Sequence, residues 1–200
     1  MFVTFEGVDG SGKSTQAELA AAFLAEAGRE VVATREPGGT PLGERIRELL
    51  LDGPAMSSWA EATLFAAARA ELAELVIRPA LARGSTVVSD RYLDSSLAYQ
   101  GVARGLGVER VLELNAAVAD LLPDRTFVLL VNEETSAVRL GGRADRMERE
   151  GGRFRQAVQE GYEALAQRFP ERIVLLDGTD PRDEIAARIR ELLPVGTAPA

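Results

Sequence analysis

Two hundred residues, 46% hydrophobic and 27% charged, are the size and mix of one compact domain, and they exclude a disordered or low-complexity chain. With no cysteine and no histidine there can be no disulfide, thiolate metal site, cysteine nucleophile or histidine base, so any catalysis falls to carboxylates, Lys, Arg, hydroxyls and backbone amides. A net charge of −8 argues against a surface that wraps nucleic acid, and apolar runs such as Phe127 to Val131 are far shorter than the roughly 20 residues that span a bilayer.

Phe2 to Phe5 reads as a short strand ending at Glu6-Gly7, followed by a glycine-rich turn and a helix from Lys13 to about Ala27, with Gly28 at its end. Glu30 to Thr34 is the next strand. Two prolines and two adjacent glycines make Arg35 to Pro41 a loop, and Leu42 to Leu51 a helix with Ile46, Leu49 and Leu50 on one face. Ser58 to about Ala82 reads as one long Ala-rich helix kinked near Pro79. Thr86 to Ser89 is a strand closing on Asp90-Arg91-Tyr92, Val108 to Ala119 a helix, and Arg125 to Val131 the most apolar strand. Glu133 to Leu140 starts a helix broken at Gly141-Gly142, Arg153 to Phe169 resumes one, Ile173 to Leu176 is the last strand and Pro181 to Leu193 the last helix. Residues 194–200 read as a frayed tail. Apolar strands alternating with helices predict a single α/β domain over residues 1–200: three layers, about five parallel strands, and ligands at the strand carboxyl ends. Met1 leads straight into the first strand with no basic, apolar leader, so the expected location is the cytoplasm.

Gly7-Val8-Asp9-Gly10-Ser11-Gly12-Lys13-Ser14 fits G-x-x-x-x-G-K-[ST] between a predicted strand and a predicted helix. The glycines let successive N–H groups turn inward onto a phosphate, the helix N-terminus adds positive potential, Lys13 supplies a mobile charge and Ser14 a hydroxyl for magnesium. The chain should therefore bind a nucleoside triphosphate through Gly7, Val8, Asp9, Gly10, Ser11, Gly12, Lys13, Ser14 and Thr15. A GTPase-type switch would use the same loop, but there is no Asn-Lys-x-Asp guanine-reading motif, and Asn132 is followed by Glu133-Glu134.

Phe5 to Gln16, Arg35-Glu36-Pro37-Gly38-Gly39-Thr40, Asp90-Arg91-Tyr92 and Ser95-Ser96-Leu97-Ala98-Tyr99-Gln100-Gly101 together resemble the thymidylate kinases, in order and spacing, from residue 1 to about 190. The resemblance implies a P-loop kinase fold with an Arg-rich lid over about 140–152, transfer of the terminal phosphoryl of ATP to thymidine monophosphate with magnesium for dTTP synthesis, and a homodimer, expected through apolar helix faces such as that of Ser58 to Ala82. Another nucleoside monophosphate or a small metabolite is the rival acceptor.

By the same resemblance Asp9 faces the acceptor's 3′-hydroxyl, Phe65 stacks on thymine and Arg69, four residues on and so on the same helix face, donates to a base carbonyl. Arg91 grips the acceptor phosphate at a strand end; Ser96 and Gln100 lie by the base; Tyr99 fills the space of a ribose 2′-hydroxyl; Glu36 and Pro37 floor the site, with an X-Pro bond that can be cis. Asp90 either holds magnesium through water or orients Arg91. Val8 to Ser11 carries no basic residue, so the resemblance implies that the cation on the transferring phosphoryl comes from the lid, with Arg139 and Arg143 leading and Arg149 behind them. No general base is required, because the acceptor phosphate is already anionic.

Overall fold

The structure is a computed structural model that describes residues 1–141, 146–147 and 150–193. Five strands, β1 (Phe2–Glu6), β2 (Val31–Arg35), β3 (Thr86–Asp90), β4 (Arg125–Leu130) and β5 (Ile173–Asp177), pair in the order β2-β3-β1-β4-β5, and every pairing is parallel. Apolar residues occupy both strand faces because helices cover both. Val3, Phe5, Val88, Phe127 and Leu129 pack towards α1 (Lys13–Glu26), through Ala17, Ala20 and Leu24, and towards Ile185 and Ile189 of the last helix, Arg182–Leu192. Phe2, Val87, Val128 and Ile173 face the other way, against Leu72, Ile77, Leu97, Val111, Val158 and Tyr162.

The helices on that second side depart from the sequence pattern. After α2 (Pro41–Leu51) and α3 (Ser58–Leu72), the backbone widens into a π-helical turn over Ala73–Ile77 and resumes as α4 (Arg78–Ala82), so the irregularity falls in the turn just before Pro79, where a proline inside a continuous helix is accommodated. A helix absent from the sequence reading follows β3: α5 (Leu93–Ser96) widens at once into a π-helical stretch, Leu97–Ala103. α6 (Val108–Leu114) stops well short of Ala119, and a 3₁₀ turn follows over Ala116–Val118. In α2, Ile46 and Leu50 are buried but Leu49 is 50% exposed, so the inward stripe is Gly43, Ile46 and Leu50. The remaining helices are α7 (Glu133–Leu140), α8 (Gly152–Arg168) and α9, the Arg182–Leu192 helix.

Connections leave β1 and β3 in opposite directions, so a crevice opens where their carboxyl ends lie side by side, Phe5 in register with Asp90. The glycine-rich loop follows β1 and Arg91 follows β3, and both sequence signatures therefore meet there. Among the described residues no helix is long and apolar enough to cross a membrane.

Candidate active site

Between β1 and α1 the chain turns through Gly7, Gly10 and Gly12, all at positive φ. At Gly7 a Cβ would stand 2.5 Å from the Leu129 carbonyl oxygen, and at Gly10 2.7 Å from that of Ser136, so only glycine fits either place. Ser136 also donates its hydroxyl to the Asp9 carbonyl at 2.8 Å, which fixes the loop against α7.

Beyond this loop a cleft of about 490 Å³ is lined by Asp9, Glu36, Pro37, Arg47, Leu51, Phe65, Arg91, Ser95, Ser96, Tyr99, Gln100 and Met147. The Glu36–Pro37 bond is cis, and the loop is tied down by Thr40, which caps α2, and by Glu44, which receives Arg35 and the Gly39 N–H. Asp9 is the electrostatic centre: its Oδ1 accepts from Lys13 at 2.7 Å and from Arg91 at 2.8 Å. Burial alone would raise the Asp9 pKa; Arg91 and Lys13 override it and hold the carboxyl well below the usual range. Arg91 also donates to Ser95 Oγ at 3.0 Å and lies over the Tyr99 ring, 5.2 Å from its centroid.

Arg69 sits beneath the cleft rather than among its lining side chains. Only 1% exposed, it donates to Glu36, Asn115, the Tyr92 carbonyl and Ser96 Oγ at 2.7–3.1 Å. Burial pushes Glu36 up to about 7 against the pull of Arg69, and its Oε1 has no partner. Ser96 thus meets both the cleft and Arg69, while Phe65 lines the cleft directly.

Ser14 Oγ donates to Asp90 Oδ2 at 2.5 Å, whereas Asp90 Oδ1 is buried without a partner. The guanidinium of Arg91 is received by Ser95, Asp9 and Tyr99. On the far side of the loop a trough of about 520 Å³ runs past Gly12, Thr15, Gln16, Arg139, Asp180 and Arg182. Arg139 points there, its Nη1 donating to the carbonyls of Gly10, Ser11 and Gly178. Arg143, Arg149 and much of the expected lid lie outside the described residues, as does the tail 194–200. Arg146, by contrast, pairs with Glu61 at 2.8 Å and donates to the Leu50 carbonyl at 2.7 Å.

Sequence reasoning overlooked Arg47, Leu51, Ser95, Met147 and Glu6. Arg47 and Leu51 both line the cleft and stand four apart on α2, the spacing that marks a shared face. Glu6 is fully buried at the end of β1, where it accepts from Tyr92 N–H at 2.8 Å, Ser95 Oγ at 2.5 Å and Tyr162 Oη at 2.8 Å. Burial, helped by Asp94, pushes its pKa up to about 7 while Arg91 and these hydrogen bonds pull it down. A charged residue ending an otherwise apolar strand was its one sequence signal.

A family model described as thymidylate kinase matches residues 5–189. The thymidylate kinase of Symbiobacterium thermophilum is 50% identical over 198 residues, covering 96% of this chain and 92% of the relative. That of Pseudomonas putida (strain W619) is 47% identical, covering 97% and 96%. A crystal structure of thymidylate kinase from Ehrlichia chaffeensis superposes with a TM-score of 0.80 at 34% identity, over 96% of this chain and 98% of that one. With a parallel five-stranded sheet, a phosphate-binding loop and a cleft at its switch point, the chain belongs to the thymidylate kinase family.

Proposed function

We infer that this chain is an ATP-dependent kinase of thymidine monophosphate, which transfers the terminal phosphoryl group of ATP to the acceptor and releases thymidine diphosphate and ADP. The family match carries the reaction, and one observation carries its layout: the loop that suits a triphosphate and the cleft lined by Phe65, Arg91 and Tyr99 share Asp9, with Lys13 on one side of it and Arg91 on the other.

In this reading the loop amides and Lys13 hold the donor phosphates, and Arg91 with Arg47 holds the acceptor phosphate. Phe65 and Pro37 bracket the base, Ser96 and Gln100 face its polar edge, Glu36 holds Arg69 fixed under the floor, and Tyr99 occupies space beside the sugar. Asp9 is left to take the sugar's hydroxyl alongside its two cations. An acceptor phosphate oxygen attacks the terminal phosphorus as the bond to the bridging oxygen of ADP breaks, and that electron pair leaves with ADP. The attacking oxygen is already anionic, so the protein aligns and neutralises rather than removing a proton.

Ser14 and the half-satisfied Asp90 suit magnesium, a hard cation that accepts few protein oxygens and completes its shell with water and phosphate. When bound it supplies charge neutralisation on the donor phosphates. A lid cation on the transferring group, from Arg139, Arg143 or Arg149, belongs to the same reading. So does a homodimer through the helical face from Ser58 to Ala82, where Leu75 is 57% exposed, and so does a cytoplasmic location; light scattering tests the dimer. The reaction is tested by coupled ADP release with ATP, magnesium and a panel of nucleoside monophosphates. Thymidine monophosphate should rank first, deoxyuridine monophosphate lower and ribonucleotides near background, and preference for a purine acceptor would overturn the assignment.

A further inference from the structure

Arg91 is the one non-glycine residue at positive φ among those described, at 72°, a conformation that L-residues rarely adopt and that persists only where the surroundings impose it. The backbone on either side is pinned. Arg91 N–H donates to the Phe5 carbonyl at 2.8 Å, and the Arg91 carbonyl accepts from Ser89 Oγ at 2.7 Å. The next amide, Tyr92 N–H, donates to Glu6 Oε1 at 2.8 Å. The guanidinium is pinned from the same source through one intermediary: Ser95 Oγ gives its only hydrogen to Glu6 Oε2, and Arg91 Nη1 then donates to the lone pair that faces it, at 3.0 Å. One buried carboxylate thus holds both the strained backbone of Arg91 and the direction of the serine dipole that receives its side chain.

We propose that Glu6 is a positioning residue for acceptor phosphorylation, acting through Tyr92 N–H and Ser95 to hold Arg91 in the geometry that grips the acceptor phosphate. The proposal rests on the role given to Arg91 above. Its chemistry is directional. In its ionised form Glu6 Oε2 has acceptor capacity only, and two hydroxyls, those of Ser95 and Tyr162, both point to it. Glutamine in its place keeps the size and the oxygen facing Tyr92, but turns an N–H₂ towards both hydroxyls. Ser95 must then accept from the amide, and its own hydrogen turns towards Tyr162 Oη, 3.1 Å away, or towards Arg91, so the fixed serine dipole that receives the guanidinium is lost.

The test is a double-mutant cycle in the full-length enzyme with ATP, magnesium and thymidine monophosphate. Glu6→Gln should lower kcat/KM for the acceptor by roughly 10- to 100-fold with a much smaller change in KM for ATP, since the loop amides make none of these bonds and Lys13 meets Arg91 only through Asp9. In an Arg91→Lys background, where the fork is already lost, Glu6→Gln should cost less than about three-fold more. Ser95→Ala breaks the same link while leaving the carboxylate in place, and should show the same non-additivity; it carries the test if Glu6→Gln does not fold. Full multiplication of the losses in either cycle would mean that these residues support the fold and not Arg91, and a folded Glu6→Gln enzyme within three-fold of wild type would overturn the proposal outright. If the wild-type enzyme itself fails to use thymidine monophosphate, what fails is the functional reading, which the first arm of the experiment identifies separately.

Discussion

The two sides of the phosphate loop are built on different principles. On the acceptor side the polar groups are side chains, drawn from β1 and the glycine loop, from the turns after β2 and β3, and from α1, α3 and α5, and they hold one another: Asp9 with Lys13 and Arg91, Glu36 with Arg69, Ser95 with Glu6. On the donor side the partners are mostly backbone, glycine-loop amides and the carbonyls of Gly10, Ser11 and Gly178, with Arg139 laid across them. A triphosphate looks much alike in every nucleotide, so a fixed ring of amides is enough to bind it. An acceptor must be told from close relatives, which takes shaped, desolvated side chains whose charges are paired before it arrives.

The largest expected effect is at the seam. Lys13→Ala removes the charge shared by both sides, and kcat should fall on the order of 10²–10³-fold, the loss typical of an electrostatic group aimed at charge that moves in the transition state. Steady-state kinetics at saturating ATP and acceptor measures it; retention within a few-fold would end the division of labour described. Asp9 should then have one cation fewer holding its carboxyl down, so its burial would count for more.

Arg47→Ala sharpens the acceptor side. It should raise KM for thymidine monophosphate by about ten-fold or more, with KM for ATP unchanged, because Arg47 lines the cleft, where it donates to the Pro37 carbonyl, and not the donor trough. Equal effects on both substrates would show that the two sides are not separable. Arg139→Ala makes the reciprocal test. Its hydrogen bonds to loop carbonyls beside the donor trough favour a rise of roughly ten-fold in KM for ATP with kcat within about three-fold. A kcat loss of about 3 kcal/mol or more would instead make Arg139 the cation on the transferring phosphoryl.

The same contrast explains what the sequence disclosed. Donor binding is local: the loop, its strand and its helix are contiguous, and glycines at Gly7 and Gly10 announce positive φ by their identity. Layering was legible too, since Val87 and Val88, or Val128 and Leu129, point to opposite faces and both faces are apolar. The acceptor side is assembled from afar. Glu6 meets Tyr92, Ser95 and Tyr162 at separations of 86, 89 and 156 residues, which no spacing rule registers. Phe65 and Arg69 share a helix face, yet one lines the cleft and the other lies under it, a difference made by Glu36 and Asn115 from other elements. The helix after β3 was missed because Ser95, Ser96 and Gly101 weaken its local signal, and tertiary packing against α8 supplies what propensity lacks.

The smallest effect concerns the sugar, and it separates shape from hydrogen bonding within the acceptor side. The Tyr99 ring packs edge-on against Phe154 and Tyr162, with centroids 6.0 and 6.4 Å away, and the Arg91 guanidinium lies over it. Its hydroxyl makes one long contact, accepting from Arg91 at 3.3 Å. If ribose is rejected because the ring already fills the space of a 2′-hydroxyl, Tyr99→Phe should leave the deoxyuridine-to-uridine monophosphate preference within about three-fold. Tyr99→Ala should compress it by roughly ten-fold, the scale on which a pocket distinguishes one added small group. The ratio of kcat/KM values for the two acceptors, taken on one folded preparation, cancels any general loss of activity. Were Tyr99→Phe to relax the ratio as far as Tyr99→Ala, the discrimination would lie in the hydroxyl and its bond to Arg91, and the acceptor side would select its sugar by the same cation that holds its phosphate.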